Sequence, residues 1–567
     1  MPEGVNPATV RALTDELGIP APLAGLLAHR GYDPASARAF LKPTRDQIHA
    51  PEQLADMDRA VDRVARAVRV GETILVHGDY DVDGVCGTVL LVRAFRMMGG
   101  HVHPFVPDRL TQGYDLREGG IAAAQAVGAT LIVTTDCGIV ANDAVESARA
   151  GGIDVVVTDH HTPGSALPTA VAVINPNRSD CPYPDKGLCG AAVAFKLAEA
   201  VAAEVGFPRE RLGAFLDLVA IATIADLAPL NSENRALVRW GMRVLARTPN
   251  PGLRALTRAA ALEPEDEITP GQVGFVLAPR LNAAGRVADP MIAVRLLLTD
   301  DPVEADRLAA TLEYENRRRK ELDEETFRDA MEILEREYRP ATDWGVVLSS
   351  QSWHPGVIGI VASRIVEQIH RPVVLIAVDG DEGKGSARSI PGFHLHQAFV
   401  ACAEHMTRFG GHRAAAGCSI AASRIDSFRA AFNAAAHRMI RSPEGLVPQI
   451  RIDVEVTLEE AGLQLLSVLR HFAPFGIANP TPVFCARGVT LSGPPRVVGR
   501  GHLKLLLQSD GARLAAIGFD MADRLEECRE GGRFDVAFRL EENVWRGNDG
   551  RLRQTLQARL ADLRAAG

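Results

Sequence analysis

Carboxylates and imidazoles stand directly after apolar, β-branched runs in the first half of the chain. The triplet Asp159-His160-His161 follows the run 153–158. The acidic residues in equivalent positions are Asp79, Asp81 and Asp83 after residues 73–76, Asp136 after residues 130–133, and Asp226 after residues 219–225. Because ligands collect at the carboxyl ends of strands in open parallel sheets, we expect these side chains to lie close together. Oxygen and imidazole groups bind hard and borderline divalent cations, so the sequence predicts a metal centre.

The stretch from Asp79 to Asp83 carries a carboxylate at every second residue, so in an extended segment these side chains would share one face. Like charges so close repel unless a cation neutralises them. An acidic loop or a helix N-cap is the alternative for this stretch alone, but with the other motifs it predicts two metal ions. The predicted ligands are Asp79, Asp81 and Asp136 for the first ion, and Asp83, Asp136, His160 and Asp226 for the second, with Asp136 as the bridge. The mixed ligand set favours Mn²⁺, with Mg²⁺ as the alternative.

A water held between two such ions can attack phosphorus while both metals stabilise the developing charge. This chemistry assigns catalytic roles to Asp81, Asp83, Asp136, His160 and His161. His161 would stabilise the transition state or protonate the leaving oxygen, and the alternative is a purely supporting role. Asp159 is expected to orient a neighbouring imidazole. For His77 two interpretations stay open, a metal ligand or a cap of its strand.

Length and composition limit the class of protein. A chain of 567 residues exceeds one hydrophobic core and predicts roughly three to four domains. The net charge of -9 argues against indiscriminate binding to polyanions, so any nucleic-acid surface must be concentrated. No apolar run is long enough for a membrane-spanning helix, and the N-terminus shows no secretory signal. The 8 cysteines are scattered singly, and we expect a cytoplasmic location.

The alternation of short β-branched runs with helical stretches from 73 to 225 predicts an α/β lobe with a parallel sheet. The segment 303–338 is long, charged and free of internal Gly or Pro, which indicates a connecting helix. A smaller α/β pattern follows from 345 to 440, and separated strands beyond it predict a small β-barrel. The predicted domains are 1–50 (N-terminal helical extension), 51–300 (catalytic lobe), 301–340 (connecting helix), 341–442 (second lobe) and 443–567 (barrel).

The triplet Asp159-His160-His161 resembles the signature of the DHH phosphoesterase superfamily. Further motifs at 78–84, 279–286, 354–359, 385–389 and 410–417, with N-terminal residues 27–32 and 40–43, are similar to those of its bacterial single-strand-specific exonucleases. The resemblance spans nearly the whole chain, and Cys86, where threonine is frequent, is a small departure. It implies a DHH lobe, a DHHA1 lobe and a C-terminal oligonucleotide-binding (OB) fold that binds nucleic acid.

The same resemblance implies an activity: Mn²⁺-dependent or Mg²⁺-dependent removal of 5′-mononucleotides from single-stranded DNA in the 5′ to 3′ direction. DNA repair and recombination are the implied processes. The implied partners are single-stranded DNA with a free 5′ end, single-strand-binding protein and helicases. Duplex DNA would be excluded, because only an unpaired strand could thread between two lobes joined by a helix.

An exonuclease that starts at a 5′ end needs a cationic pocket for the terminal phosphate, and the arginine guanidinium has the best shape for it. We predict Arg388 and Ser386, in a Gly-Ser-x-Arg-Ser loop, as the first choice. Arg280 with Asn282 is the second choice, and Arg109 is the third. A surface ion pair is the alternative for each arginine.

Other residues are predicted to contact the strand itself. His354 and the segment Gly410-Gly411-His412 would let the backbone approach the sugar-phosphate chain, with a tight turn as the alternative. Tyr114 would stack on a base or else pack in the core. Residues 317–320, Arg317-Arg318-Arg319-Lys320, are interpreted as a solvated face rather than a groove.

Two other functions stay open at this point. A small-substrate DHH phosphoesterase would cleave pyrophosphate, a short oligonucleotide or a cyclic dinucleotide, but needs neither a connecting helix nor a barrel. A non-catalytic single-strand-binding scaffold would have no reason to keep every predicted metal ligand. Rates on a 3-mer and a 50-mer distinguish the first alternative from an exonuclease.

Overall fold

The computed structural model describes residues 5–109, 111–262, 268–529, 532–546 and 552–566. Residues 1–4, on which the expectation about a secretory signal partly rests, lie outside these ranges. Within them, no helix combines the length and apolar character needed to cross a membrane. The described chain forms two α/β lobes, a β-barrel and an N-terminal group of helices.

The first lobe is built on a parallel sheet, as predicted. Its strands are β1 (Thr73–Gly78), β2 (His101–Phe105), β3 (Leu131–Thr135), β4 (Asp154–Thr158) and β5 (Ala172–Ile174). They lie in the order β2-β1-β3-β4-β5, and every pair is parallel. Alternate residues of a strand face opposite sides, so Ile74 and Val76 belong to one buried core and Leu75 to another.

Helices cover both faces of this sheet and extend before and after it. Their bounds are α1 (Pro7–Leu17), α2 (Ala21–His29), α3 (Pro34–Leu41), α4 (Met57–Val70), α5 (Val82–Met97), α6 (Glu118–Ala126), α7 (Asn142–Ala150), α8 (Gly190–Glu204), α9 (Leu216–Ala225), α10 (Ser232–Leu245), α11 (Pro251–Ala259), α12 (Pro270–Gln272), α13 (Ala278–Val287) and α14 (Met291–Leu298).

Two expectations about the acidic residues were wrong in detail. Asp226 does not end a strand: the apolar run before it is the buried helix α9, and Asp226 is its C-cap. A short, wholly apolar run cannot be assigned to helix or strand by periodicity, which explains the error. The stretch from Asp79 to Asp83 is not extended throughout, because Asp81 is the N-cap of α5 and Asp83 lies in its first turn.

A single long helix, α15 (Pro302–Glu337), connects the two lobes, as predicted. The Asp301 carboxylate caps it by accepting from the Val303 N–H at 2.9 Å. The second lobe then contains β6 (Val346–Ser350), α16 (Ile358–Ile369), β7 (Val373–Asp379), β8 (Glu382–Arg388), α17 (Leu395–Ala401), β9 (Arg408–Gly411), β10 (Ala415–Ala421) and α18 (Ile425–Ile440). Its sheet has the order β6-β7-β8-β10-β9, with only β6 and β7 parallel.

The C-terminal part is a barrel, as predicted. It comprises β11 (Val454–Glu455), α19 (Leu463–Leu469), β12 (Phe484–Leu491), β13 (Arg496–Val498), β14 (His502–Ser509), β15 (Ala512–Gly518), α20 (Leu525–Arg529), β16 (Phe534–Arg546) and β17 (Leu552–Ala565). The sheet runs β12-β16-β17-β15-β14, and β12 also pairs with β14, which closes it. A closed barrel of this size is the OB architecture.

The N-terminal helices have no core of their own. Leu13, Leu27 and Phe40 belong to the same buried cluster as Phe484 and Phe538 of the barrel. The sequence suggests neither this pairing nor its partner, because segments more than four hundred residues apart supply the two halves of one core. The predicted boundaries between domains remain predictions.

Arg235 of α10 fastens this composite unit to the first lobe. Its side chain is 1% exposed and donates to the backbone carbonyls of Phe40 at 2.7 Å, His471 at 3.0 Å and Ala473 at 2.9 Å. The guanidinium also lies 3.8 Å from the centre of the Phe40 ring. Burial lowers the pKa of Arg235 to about 9. One side chain therefore joins the first lobe to α3 and to the loop between α19 and β12.

Replacing Arg235 with alanine should destabilise the protein, because it leaves buried carbonyls unsatisfied. We expect a loss of about 3 kcal/mol or more, measured as a lower urea midpoint of unfolding. Arg247→Ala is the matched control, since Arg247 lies on the exposed side after the same helix. Equal midpoints for the two variants would contradict the role assigned to Arg235.

Candidate metal centre and nucleic-acid cleft

The structure brings the predicted acidic residues to one edge of the first sheet. Asp79 follows β1 and Asp136 follows β3. Oxygen atoms of Asp79, Asp81 and Asp136 lie within 4.8 Å of one another. Asp81 keeps its place because its carboxylate accepts from the backbone N–H groups of Asp83 at 2.9 Å and Gly84 at 3.2 Å. These residues are the predicted ligands of the first ion.

A second group contains Asp83, His160 and Asp226, again with ligand atoms within 4.8 Å. The Nε2 atom of His160 lies 3.7 Å from an Asp83 oxygen and 3.8 Å from an Asp226 oxygen. The same nitrogen is 3.0 Å from an oxygen of Asp136, which therefore lies between the two groups. Asp83, His160 and Asp226 are three of the four predicted ligands of the second ion, and Asp136 is the predicted bridge; the ligand assignments remain predictions.

Asp136 has an uncommon backbone conformation and packs closely against the start of α8. Asp136 has φ 62°, a left-handed conformation that is uncommon outside glycine. Gly190, the first residue of α8, lies so close that a Cβ atom there would be 2.5 Å from the Asp136 Cβ. The N–H groups of Gly190 and Ala191 both donate to the Asp83 carboxylate at 2.7 Å. The start of α8 thus positions two of the predicted ligands.

The charges and unpaired atoms of this centre fit divalent cations. Asp79 Oδ1, Asp136 Oδ1 and His160 Nε2 are buried and form no hydrogen bond among the described residues, although the last two atoms lie 3.0 Å apart. Burial, followed by the charges of Asp83 and Asp81, raises the pKa of Asp136. Burial, followed by the charge of Asp83, raises the pKa of Asp226 to about 8. Bound cations would reverse this unfavourable crowding, because they favour the ionised carboxylates.

His161 is held beside the centre in a defined orientation. Its Nδ1 lies 2.8 Å from the Asp159 carboxylate, which also accepts from the His160 and Ile139 backbone N–H groups. Burial alone would lower the pKa of His161, but the hydrogen bond and charge of Asp159 outweigh it and raise the pKa to about 9. The expectation that Asp159 orients an imidazole agrees with this geometry. The Tyr114 hydroxyl lies 3.3 Å from the same ring nitrogen.

His77 is not part of either group. It is fully buried, its Nδ1 lies 3.5 Å from the Cys137 sulfur, and its ring packs against Phe105. Burial lowers its pKa to about 4. Among the residues that the structure describes, its atoms join no cluster of potential metal ligands.

A cleft of about 630 Å³ opens between the two lobes. Arg109 and Tyr114 line it from the first lobe, and Ser386, Arg388, Gly410 and Gly411 line it from the second. Ser386 and Arg388 lie on strand β8, so the predicted loop was wrong. Lys384 lies on the same face of β8 and also lines the cleft. Lys384 lies two residues before Ser386, a spacing that puts both side chains on one face of a strand, and sequence reasoning missed this signal.

Arginines in this region lie near carboxylates of the metal centre but do not contact them. Arg109, Arg286 and Arg388 form no ion pair with any described carboxylate. Burial, followed by the charge of Arg109, lowers the pKa of Arg388. Burial also lowers the pKa of Arg286 to about 10, with smaller contributions from the charges of Arg109, Arg319 and Arg388. Sequence reasoning did not select Arg286, although it lies four residues after Asn282, one turn further along a helix. An anion would relieve the repulsion.

Some predicted contacts have other roles. Arg280 donates Nε to Glu313 of α15 at 2.7 Å and does not line the cleft, so its assignment to the phosphate pocket is not supported. Asn282 accepts from the Val82 N–H at 3.0 Å and so helps to cap α5. In the segment predicted to be solvated, Arg319 is buried beside Asn316.

The remaining predicted contacts lie at the second lobe. His354 accepts from the Gly356 N–H at 3.0 Å and precedes Pro355, which lines the cleft. Burial, with the charges of Arg318 and Arg109, lowers the pKa of His354. Gly410 and Gly411 end β9 rather than forming a tight turn, and the exposed His412 follows them.

The carboxylate and histidine cluster, the second lobe at the end of a long helix and the barrel define a phosphoesterase of the DHH class. The family model described as "DHH family, N-terminal domain" matches residues 73–223, "DHHA1 domain" matches 344–438, and "RecJ OB domain" matches 452–561.

The chain belongs to the RecJ family. It is 38% identical over 514 residues to the "Single-stranded-DNA-specific exonuclease RecJ" of Dickeya dadantii, which covers 87% of this chain and 88% of that protein. Crystal structures of RecJ from Thermus thermophilus in complex with Mn²⁺ and with Mg²⁺ have TM-scores of 0.82 and 0.78. Both are 31% identical and cover 99% of this chain, with 79% and 78% of their own chains.

The contact between α8 and Asp136 can be tested with Gly190→Ala. The added methyl group must displace Asp136, and a displacement of about 1 Å at such a site can cost roughly a hundredfold in rate. We expect weaker Mn²⁺ binding by calorimetry and a fall of that size in hydrolysis. Gly213→Ala is the control, because a Cβ there meets nothing within 4 Å. Unchanged Mn²⁺ affinity in Gly190→Ala would contradict the assignment.

Proposed function

We propose that this chain is a metal-dependent exodeoxyribonuclease that removes 5′-mononucleotides from single-stranded DNA in the 5′ to 3′ direction, in DNA repair and recombination. The observation that carries the proposal is the pairing of two features. A cluster of buried carboxylates with unpaired oxygen atoms adjoins a cleft lined by arginines without carboxylate partners. The first feature suits divalent cations and the second suits phosphate.

The proposed cofactor is a pair of Mn²⁺ ions, with Mg²⁺ as the alternative. Asp79, Asp81 and Asp136 would hold one ion, and Asp83, Asp136, His160 and Asp226 the other. When bound, such ions lower the pKa of the attacking water and stabilise the charge that develops on the phosphate.

The side chains of this protein would do the remaining work. Asp136 lies between the two sets of metal ligands and would align both sets on the same phosphate. His161, whose Nδ1 lies 2.8 Å from Asp159 and 3.8 Å from Asp136, would donate a proton to the leaving oxygen or stabilise its charge. Tyr114, whose ring lies 5.9 Å from that of His161, would support this orientation.

The cleft would explain why the proposed enzyme starts at the 5′ end of a strand. Arg388, Ser386 and Arg109 would bind the terminal 5′-phosphate, and Gly359 at the start of α16 lies so close that a Cβ there would be 2.8 Å from the Ser386 hydroxyl. A phosphate pocket at this position would fix one end of the strand and so set which bond lies at the metal centre. Single-strand-binding protein and helicases as partners, and a cytoplasmic location, remain predictions.

A product assay tests the proposed activity. With 5′-labelled single-stranded DNA and Mn²⁺, we expect labelled mononucleotide as the first product, faster hydrolysis of a 50-mer than of a 3-mer, and little hydrolysis of blunt duplex. Asp136→Asn should abolish hydrolysis but keep single-strand binding. Preference for the 3-mer would favour a small-substrate phosphoesterase, and binding without hydrolysis would favour a scaffold.

Arg388 should determine the preference for a 5′-phosphate. We expect Arg388→Ala to raise the KM for 5′-phosphorylated strands by roughly ten to a hundredfold, the value of one or two charge-assisted hydrogen bonds, with less effect on 5′-hydroxyl strands. Arg388→Lys should fall between, because lysine lacks the planar fork. Arg438→Ala, an exposed residue of the same lobe, is the control. Equal effects on both 5′ ends would contradict this role.

A further inference from the structure

Tyr80 stands between two predicted metal ligands, Asp79 and Asp81, in the first acidic motif. Its ring is partly buried and packs against the main core of the first lobe. Its main chain is held closely as well, because a Cβ atom at Gly285 of α13 would lie 2.4 Å from the Tyr80 carbonyl oxygen. The motif that carries the metal ligands therefore also presents an aromatic ring in a fixed place.

This ring contacts an arginine of the cleft. The guanidinium carbon of Arg109 lies 5.4 Å from the centre of the Tyr80 ring. That distance is within the range of a cation–π interaction, in which the negative face of a ring attracts a cation. In the part of the chain that the structure describes, Arg109 forms no hydrogen bond and no ion pair. The Tyr80 ring is therefore the contact that restrains this guanidinium.

The other two arginines of this region are held by hydrogen bonds. Arg388 donates to the carbonyl of Ala387 at 2.8 Å, and Arg286 donates to the carbonyl of Gly356 at 3.2 Å. Each such bond uses a donor that could otherwise bind a phosphate oxygen. A guanidinium held through its face keeps all of its N–H donors free. Arg109 is thus both restrained and available to an anion.

A second residue of the same loop also lies against the ring. Arg109 and Tyr114 both belong to the loop between β2 and α6, and the Tyr114 ring meets that of Tyr80 edge-on at 6.4 Å. Arg109 and Tyr114 line the cleft, whereas Tyr80 does not. Tyr80 therefore supports the wall of the cleft from behind and does not form its surface.

The loop is attached to the first lobe again at its other end. There the Asp115 carboxylate accepts from the Gly138 N–H at 2.7 Å. Gly138 lies two residues after Asp136, the predicted bridge between the metal ions. One attachment thus lies beside the metal centre, and Tyr80 provides the other at the Arg109 end. Both attachments start from segments that also carry predicted metal ligands.

We propose that Tyr80 is a positioning residue for the terminal 5′-phosphate, because its ring holds Arg109 beside the metal centre and leaves the guanidinium donors free for the phosphate. This inference rests on the proposed function. An arginine side chain has considerable rotamer freedom to lose when it binds a ligand. A guanidinium that is already restrained loses less, so the phosphate binds more tightly. Tyr80 thus links the place of the strand end to the place of cleavage through one residue.

Kinetics on strands with two kinds of 5′ end test the proposal. With Mn²⁺ present, we expect Tyr80→Leu to raise the KM for 5′-phosphorylated strands about three- to thirtyfold, the range of one cation–π contact. The KM for 5′-hydroxyl strands and the Mn²⁺ affinity measured by calorimetry should stay as in the unmodified protein. The value of kcat should change by less than about twofold, because the contact is the same in the ground state and the transition state.

Two further variants separate the ring face from other effects. Tyr80→Phe keeps the face of the ring and should behave as the unmodified protein does. In an Arg109→Ala background, adding Tyr80→Leu should raise the KM no further, because the two residues act through one contact. Should Tyr80→Leu fail to fold, pentafluorophenylalanine at residue 80 keeps the shape of the ring but removes its negative face. The KM for 5′-phosphorylated strands should then rise relative to Tyr80→Phe.

Phe207→Leu is the matched control. The guanidinium carbon of Arg211 lies 5.3 Å from the centre of the Phe207 ring, and neither residue lines the cleft. This variant removes a similar contact and should leave the KM for both strands unchanged.

Equal rises in KM for the two 5′ ends, a further rise in the Arg109→Ala background, or a weaker Mn²⁺ affinity would overturn the inference. A loss in Tyr80→Phe as large as that in Tyr80→Leu would also overturn it, since the hydroxyl and not the ring face would then carry the effect. Unchanged kinetics in Tyr80→Leu contradict the inference alone. If the unmodified protein hydrolyses neither strand, the proposed function fails and the inference fails with it.

Discussion

Repulsion among buried carboxylates is the constraint on which the first lobe depends. Asp79, Asp83 and Asp136 all have raised pKa values because burial disfavours their charge and each faces other carboxylates. Such a cluster is costly unless cations or protons compensate it. The fold meets the cost with backbone groups, since the first N–H groups of α8 bind Asp83 and the cap of α5 binds Asp81. The buried atoms that keep no hydrogen-bond partner, on Asp79, Asp136 and His160, belong to the groups of potential metal ligands.

Arginines of both lobes place the opposite charge beside this centre. Burial, followed by the charges of neighbouring arginines, lowers the pKa values of Arg388 and Arg286, and neither forms an ion pair with a described carboxylate. A phosphodiester placed between the lobes would relieve the repulsion among the arginines, and divalent cations would relieve the repulsion among the carboxylates. The long helix α15 connects the two lobes between which the cleft opens.

Sequence reasoning predicted the chemistry better than the local structure. The ligand set followed from residue types after apolar runs, and the structure brings these residues together. Asp226 was placed on a strand because a fully buried helix has no polar side to reveal its period. Arg280 could not be distinguished from Arg388 because a guanidinium's partner, here Glu313, lies thirty-three residues away in sequence.

The shared core of α1 to α3 and the barrel has a consequence for synthesis of the chain. The apolar faces of Leu13, Leu27 and Phe40 leave the ribosome long before Phe484 and Phe538 exist. At about 5–20 residues per second, that interval lasts roughly 20–90 seconds. During it the first lobe can fold while the helices before it lack their partner. Apolar side chains of this segment therefore stay exposed until the barrel is made, and removing the barrel would leave them exposed permanently.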